Sequence, residues 1–172
     1  MKTKIKLFIS EINGVWTDGG FYINGSGNEY IKFHFYDLTG IDLLDEVGLS
    51  YLIVSEEKSD AEEKALKKFK IKNYKLGPRN RLKFIQSYLK KNKISWEEVA
   101  YIGSSADDLD IINQAGLTAA PISAPFYVRT SVDWILRRKG GEGAFAEFVE
   151  RYLEENGMLK QALNLPELLM IK

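Results

Sequence analysis

The sequence predicts an α/β fold, a three-layer Rossmann-like sandwich with a mostly parallel sheet and one inserted β-hairpin. Short apolar runs that are typical of buried strands alternate with segments whose apolar residues recur at helical spacing. Polar, glycine-bearing loops follow several of these runs, as expected where a doubly wound sheet binds its ligands. The 172 residues suffice for one such domain and contain no repeat or linker, so we expect a single domain over residues 1–172.

The individual elements follow from local patterns. Four apolar runs are predicted as buried strands, namely residues 6–10, 51–54, 99–102 and 117–120. Apolar residues at helical spacing predict helices within residues 41–47, 82–89 and 145–153. The Ser-x-x-Glu form of a capping box predicts further helix starts at residues 59–62 and 95–98. A weakly patterned apolar tail follows, over about residues 156–172.

The inserted hairpin is predicted at about residues 20–36. Two aromatic-rich runs, residues 21–23 and 30–36, flank the turn-forming segment 24–28. His34 alternates with Phe33 and Phe35 on the second presumed strand. We therefore expect His34 to have a structural or interfacial role and not to act as a base.

Composition excludes several classes of function. Lys and Arg total 24, Asp and Glu total 24, and the net charge of zero argues against nucleic acid as a partner. With no cysteine and one histidine, the chain has no disulfide framework, thiolate zinc site or histidine cluster, and a cytoplasmic setting fits. We find no signal peptide, and no apolar stretch approaches the roughly 20 residues of a membrane span.

Four loops carry the residues with chemical potential. They are residues 10–19, 54–56, 77–82 and 102–108. Their order and spacing resemble the four motifs of the haloacid dehalogenase phosphatases, in particular the small branch without a large cap that includes the phosphatases of 3-deoxy-D-manno-octulosonate 8-phosphate. The phosphatase-like domain of some CMP-sialic acid synthetases is similar too. The resemblance extends over residues 4–155 and includes the hairpin glycine Gly27, Asp37 and the glycine-rich turn 140–143.

The resemblance implies that the catalytic acids are degenerate. The nucleophile, the general acid/base and a magnesium-binding aspartate of the family match Glu11, Asn13 and Ser104. Glu11 displaces its carboxylate by about 1.5 Å, and misplacement of ~1 Å can cost on the order of a hundredfold in rate. Asn13 cannot transfer a proton, and Ser104 lacks the charge that favours a hard cation. No intact catalytic residue and no cofactor is expected; magnesium enters only under the alternative function, through Glu11, Asn13, Ser104 and Asp108.

Other matched positions leave room for anion binding. Ser55 offers a hydroxyl, Arg81 offers a positive charge where the family usually has lysine, and Asn13 completes the candidate anion site. On the substrate side the chain departs from the family, since Tyr36, Leu38 and Ala146 replace a frequent Arg, a Gly and a frequent Arg.

Plainer interpretations of the same residues stay open. Glu11 and Asn13 are also consistent with ordinary polar loop residues at a strand end that bond to the turn at Gly14. Residues 104–108 have the composition of a helix N-terminus, where Ser and Asp act as caps. The turn at 140–143 lacks the spacing of a dinucleotide site.

Three functions compete at this point. The first is a catalytically degenerate phosphatase homologue that acts as an oligomeric scaffold or anion-binding protein in sugar-acid metabolism. For this function the resemblance implies a homotetramer through the hairpin and suggests a sugar-acid activating enzyme as partner. The second is a slow or atypical phosphomonoesterase on a sugar-acid phosphate, with Glu11 as nucleophile and a metal site rebuilt from Asp18, Asp107, Asp108 and Asp110. The third is a ligand sensor that holds an anion with Ser55 and Arg81.

Overall fold

A computed structural model describes residues 4–164 of the chain. Its strands are β1 (Leu7–Ser10), β2 (Phe21–Ile23), β3 (Glu29–Ile31), β4 (Ser50–Ser55), β5 (Tyr74–Leu76), β6 (Val99–Ile102), β7 (Leu117–Ala120) and β8 (Trp134–Ile135). Its α-helices are α1 (Tyr36–Glu46), α2 (Asp60–Lys68), α3 (Arg81–Asn92), α4 (Leu109–Ile112), α5 (Phe126–Arg129), α6 (Ala144–Glu155) and α7 (Leu159–Ala162). Two 3-10 turns, Trp96–Glu98 and Ala106–Asp108, precede β6 and α4.

Six strands form one parallel sheet in the order β5-β4-β1-β6-β7-β8, and β2 pairs with β3 as a separate antiparallel hairpin. β1 lies between β4 and β6, and all four of its residues are buried. Phe8 faces one cluster with α6, where its ring meets Phe148 edge-on at 5.4 Å, whereas Leu7 and Ile9 join a second cluster with Ile85 of α3. Helices therefore cover both faces, and the predicted three-layer α/β sandwich with a hairpin insert is confirmed.

Two of the predicted caps behave differently from one another. The Ser59 hydroxyl accepts from the backbone of Ala61 and Glu62, as predicted for the start of α2. Ser95 and Glu98 form a complete capping box, but it opens only a 3-10 turn and not the predicted helix. The physical reason is distance along the chain, since β6 begins at Val99, immediately after the box.

The second strand of the hairpin is shorter than predicted. β3 ends at Ile31, and Tyr36 already begins α1, so the placement of His34 on a strand was wrong. Phe33 turns away to pack edge-on against Phe69, with the ring centroids 5.7 Å apart. His34 is exposed, and its Nδ1 accepts from the Tyr36 backbone N–H at 3.2 Å.

The carboxyl-terminal part adds two short elements that periodicity does not reveal. β8 has two residues and α7 has four, and both are too short to carry a repeat. The predicted tail begins at residue 156, and its residues 165–172 lie outside the described part of the chain. Within residues 4–164, no helix has the length and apolar character needed to cross a membrane.

Candidate functional site

The four predicted loops meet at the carboxyl edge of the parallel sheet. Ser10 at the end of β1 is in register with Ile53 of β4 on one side and with Ile102 of β6 on the other. The backbone N–H of Glu11 also donates to the Ile102 carbonyl at 3.1 Å. Parallel register thus places the loops after β1, β4 and β6 beside one another, and α3 delivers its first residue, Arg81, to the same place.

Arg81 lies at the centre of this edge with only 3% of its side chain exposed. Asn80 caps α3 by accepting from the Lys83 N–H at 2.7 Å, which fixes the direction in which Arg81 leaves the helix. Its Nη1 pairs with the Glu11 carboxylate, and its Nη2 lies 2.9 Å from Asp108 Oδ1. One guanidinium therefore pairs with two carboxylates that lie almost one hundred residues apart in the sequence.

Asp108 uses both of its oxygens within the protein. Oδ2 accepts from the backbone N–H groups of Ser104 at 2.7 Å and Ser105 at 2.8 Å, so Asp108 caps its own turn. Oδ1 accepts from the hydroxyl of Tyr101 besides its pairing with Arg81. Burial, followed by the neighbouring Asp108 charge, raises the pKa of Tyr101 well above its usual value, so the phenol stays a donor.

Ser104 and the Asn13 backbone satisfy each other. Ser104 Oγ donates to the Asn13 carbonyl at 2.7 Å. A Cβ at Gly14 would overlap that hydroxyl, and Gly14 has a φ of +79°, so glycine is required at this turn. The loop after β1 and the loop after β6 are thereby joined by uncharged groups.

Glu11 folds back on its own loop. Its Oε1 accepts from the backbone N–H of Ile12 at 2.9 Å and of Asn13 at 3.4 Å, while Oε2 faces Arg81. Glu11 is thus a buried, partnered carboxylate. Glu11 thus makes hydrogen bonds to its own loop, as the interpretation of Glu11 as an ordinary polar loop residue predicts.

Glu62 is a site residue that the sequence did not indicate. Its side chain is 1% exposed, and Oε1 accepts from Asn13 Nδ2 at 2.9 Å, while the same Nδ2 lies 3.5 Å from Ser55 Oγ. The capping-box assignment expected this carboxylate at the start of α2, whereas it turns inward to Asn13. Its burial could have been predicted from helical spacing, because Glu62 lies four residues before Leu66 and therefore on the same, buried face of α2.

Burial raises the pKa of Glu62 from 4.5 to about 7, although hydrogen bonds from Asn13 and Ser55 oppose the shift. The native state therefore keeps a proton that the unfolded chain releases from about pH 4.5 upward. The stabilisation from this group is complete below the unfolded pKa and is lost as the pH rises through 7.

Glu62→Gln is accordingly expected to raise the free energy of unfolding at about pH 8 by about 1 to 2 kcal/mol and to change it little at about pH 5. Urea denaturation of both proteins at the two pH values measures this difference. The control is Glu154→Gln, which alters an exposed carboxylate on α6. A gain for Glu62→Gln that is equal at both pH values would contradict the assignment.

A second buried acid lies where α1 meets α6. Asp37 Oδ1 accepts from the Ala146 N–H at 3.2 Å, and burial raises the pKa of Asp37 to about 7. Beside it, Tyr36 donates to Glu150 at 2.5 Å, and the Arg138 guanidinium lies 4.5 Å from the centre of the Tyr36 ring. The substrate-side positions that depart from the family pattern thus make contacts within the chain.

The glycine-rich turn 140–143 closes the loop after β1 from the other side. A Cβ at Gly140 would overlap the carbonyl of Gly14 and approach that of Thr17. This close approach of two backbones explains the glycine, with no need for a dinucleotide.

The remaining acids of the described part of the chain do not assemble a metal site. Within residues 4–164, no group of three or more His, Cys, Asp and Glu side chains is placed to hold a metal ion. Asp18, Asp107 and Asp110 are exposed, and Asp18 bonds to the Gly20 N–H of its own turn at 2.9 Å. At the family's magnesium position, Ser104 and the Asn13 carbonyl bond to each other and Glu11 and Asp108 pair with Arg81, so the residues as arranged do not fit a hard divalent cation.

A parallel sheet with these four loops at its carboxyl edge defines a haloacid dehalogenase-like α/β protein. No family model matches the chain. A 3-deoxy-D-manno-octulosonate 8-phosphate phosphatase from Haemophilus influenzae is 30% identical over 153 residues, covering 89% of this chain and 85% of that protein. N-acylneuraminate cytidylyltransferase B from Danio rerio is 29% identical over 87% of this chain, which spans 36% of that protein's length.

A solved structure of the octulosonate phosphatase from Moraxella catarrhalis, in complex with magnesium, phosphate and KDO, has a TM-score of 0.86. The two sequences are 26% identical, and the alignment covers 93% of this chain and 92% of the Moraxella catarrhalis chain. This chain belongs to the haloacid dehalogenase superfamily, in the branch of subfamily III hydrolases that contains the 3-deoxy-D-manno-octulosonate 8-phosphate phosphatases.

Proposed function

We propose that the chain is a catalytically degenerate member of this phosphatase family that acts as an oligomeric scaffold or binding protein in sugar-acid metabolism. One observation carries the proposal: Arg81 ties the carboxylate at the nucleophile position, Glu11, to Asp108. A carboxylate paired in this way is a poor nucleophile, because attack on phosphorus would first require its release from the guanidinium. Asn13 supplies no proton for the leaving group.

Phosphate release from 3-deoxy-D-manno-octulosonate 8-phosphate with magnesium present tests the proposal. We expect a kcat below about 0.01 s⁻¹, a thousandfold under a typical enzyme value of ~10 s⁻¹. The relative from Haemophilus influenzae, assayed in parallel, is the positive control. Turnover at an ordinary rate that Glu11→Ala abolishes would overturn the proposal.

The hairpin supports the oligomeric part of the proposal. Tyr22 and Tyr30 lie opposite each other in the ribbon and are 78% and 58% exposed, and Phe21 and Ile23 are also exposed. Isolated two-stranded ribbons are marginally stable in water, so a ribbon this apolar favours burial against other copies. We propose a homotetramer assembled through the hairpin, and a sugar-acid activating enzyme remains the proposed partner.

A second candidate function is the atypical phosphomonoesterase, and Glu62 is the observation that favours it. Its carboxyl group lies 2.9 Å from Asn13 Nδ2, beside the position of the family's general acid/base, and its pKa of about 7 suits proton transfer near neutrality. Turnover that depends on Glu62, measured as a loss in Glu62→Gln, would distinguish this function from the degenerate one.

Anion binding by Ser55, Arg81 and Asn13 stays a prediction. An entering anion would compete with Glu11 and Asp108 for the Arg81 guanidinium, and Ser55 is buried. Thermal stabilisation by phosphate, lost when Arg81 is replaced, is the signature of such binding.

A further inference from the structure

We propose that one lysine-rich corner of the molecule is a docking surface for an acidic patch on a partner protein. The inference rests on the proposed function and deepens it, because a scaffold needs a surface that holds its partner. We call this surface the lysine corner, and it consists of seven exposed side chains, Lys67, Lys68, Lys70, Lys72, Lys90, Lys91 and Lys93.

The net charge of zero results from two parts of the chain with opposite charge. Residues 64–96 contain 12 of the 24 Lys and Arg residues and no Asp or Glu. The rest of the chain has the other 12 cations and all 24 acids, which gives it a net charge of −12. One segment of the chain is therefore strongly basic, although the protein as a whole is neutral.

The topology brings the lysines of the corner to the amino edge of the sheet, opposite the edge with the candidate site. Because β4, β5 and β6 are parallel, the helices α2 and α3 that connect them return the chain to the amino edge. The last turn of α2, the segment 69–73 and the last turn of α3 with its C-cap therefore lie at this edge. Leu66 of α2 and Ile85 of α3 pack on opposite faces of the sheet, so the lysines lie on both sides of it.

The lysine charges have few partners within the described part of the chain. Of the seven, only Lys67 forms an ion pair, with Glu63 at 2.6 Å, and an exposed pair of this kind contributes little to stability. The corner ends at a groove of about 460 Å³, which Asp42 and Asp45 of α1 line from the opposite side. The positive charge of the corner is therefore available to a second molecule.

Local structure explains some of these lysines but not all of them. Cations in the last turn of a helix stabilise its end, and lysines beside β5, an edge strand, prevent pairing with other strands. Lys70 and Lys93, however, have φ angles of 58° and 56°, in the left-handed region that favours glycine. A residue that conflicts with its own backbone conformation is typical of a functional position.

The charge distribution also indicates the kind of partner. Exposed cations favour a surface with acidic side chains, chiefly through the rate and the specificity of association. A long nucleic acid matches less well, because it would extend beyond the corner over the rest of the chain, whose net charge is −12. A protein with a compact acidic patch avoids this repulsion.

Binding of a fluorescein-labelled oligoglutamate peptide to the unmodified chain, measured by fluorescence anisotropy, is the first arm of the test. Binding is expected at about 50 mM NaCl and is expected to weaken by about tenfold or more at about 300 mM NaCl, because salt screens exposed charges. Absence of binding at the lower salt concentration would overturn the proposal.

The second arm locates the bound peptide. A variant that combines Lys68→Gln, Lys72→Gln and Lys91→Gln is expected to bind the peptide about tenfold more weakly, since three exposed charge pairs are lost. All three side chains are exposed, so far-ultraviolet circular dichroism is expected to be unchanged.

The matched control removes three exposed cations outside the basic segment, through Lys4→Gln, Arg137→Gln and Lys139→Gln. It has the same net charge as the corner variant, and its affinity for the peptide is expected to change by less than about twofold. Equal weakening in the two variants would show that net charge and not the corner is recognised, which would refute the inference.

A DNA duplex of about 20 base pairs tests the other class of partner, and we expect it to bind more weakly than the peptide. Binding of the duplex that is as tight as that of the peptide, and is lost in the corner variant, would overturn the acidic protein as the occupant. Phosphate release at an ordinary rate would refute the proposed function alone, because none of the binding measurements depends on turnover.

Discussion

Restoring aspartate at the three changed positions is expected to turn the chain into a magnesium-dependent phosphatase. The variant combines Glu11→Asp, Asn13→Asp and Ser104→Asp. The shorter side chain at position 11 returns the nucleophilic carboxylate to its place, which raises the rate on the order of a hundredfold. A restored proton donor at position 13 raises the rate by a further factor of about 10² to 10⁴. The measured gain in phosphate release from the octulosonate phosphate is therefore expected to reach at least about ten-thousandfold.

Two neighbours limit this gain and supply its controls. Arg81 would still compete with magnesium for the acids, so adding Arg81→Lys is expected to raise activity further. A new carboxylate at position 13 would lie beside the buried Glu62, and like charges at this distance raise each other's pKa, so Glu62→Gln is the second addition. The double variant without Asn13→Asp is the matched control. Equal turnover in the double and triple variants would refute the assignment of position 13 as the missing proton donor.

Features that depend on neighbouring residues could be predicted from the sequence, whereas features that depend on distant contacts could not. Strand β1 and helix α6 could be predicted, because burial of a strand and of a helix face leaves a pattern within a few neighbouring residues. The resemblance also located Glu11, Asn13, Ser104 and Arg81 at one edge of the sheet. Their placement at that edge follows from the register of β1 between β4 and β6.

What the sequence could not predict depends on side-chain direction. Glu62 fits a capping box and a buried helix face equally well, and only the position of Asn13 decides between them. The pairing of Arg81 with both Glu11 and Asp108 requires the rotamer of a long side chain at the start of α3. His34 lies outside the strand, where the neighbouring Phe33 packs against Phe69. No local sequence pattern predicts this contact between distant residues.

Removal of the tyrosine pair from the hairpin is expected to convert a tetramer into monomers. The unmodified chain should sediment at about four times its mass of 19.6 kDa, and Tyr22→Ser combined with Tyr30→Ser should sediment at the single-chain mass. The reason is that these two rings, opposite each other on one face of the ribbon, offer the largest paired aromatic surface of the hairpin. Loss of their burial removes about 1.5 to 3 kcal/mol per ring and per copy.

A control variant tests whether loss of any exposed aromatic side chain, and not only of those in the hairpin, dissociates the tetramer. The Phe126 side chain on α5 is 73% exposed, a fraction similar to the 78% of Tyr22. Phe126 is far from the hairpin in the sequence. Phe126→Ser is therefore expected to keep the tetramer, and far-ultraviolet circular dichroism should be unchanged in both variants because neither position belongs to the buried core. Dissociation by Phe126→Ser but not by the tyrosine pair would move the interface to α5. A monomeric unmodified chain would instead refute the homotetramer.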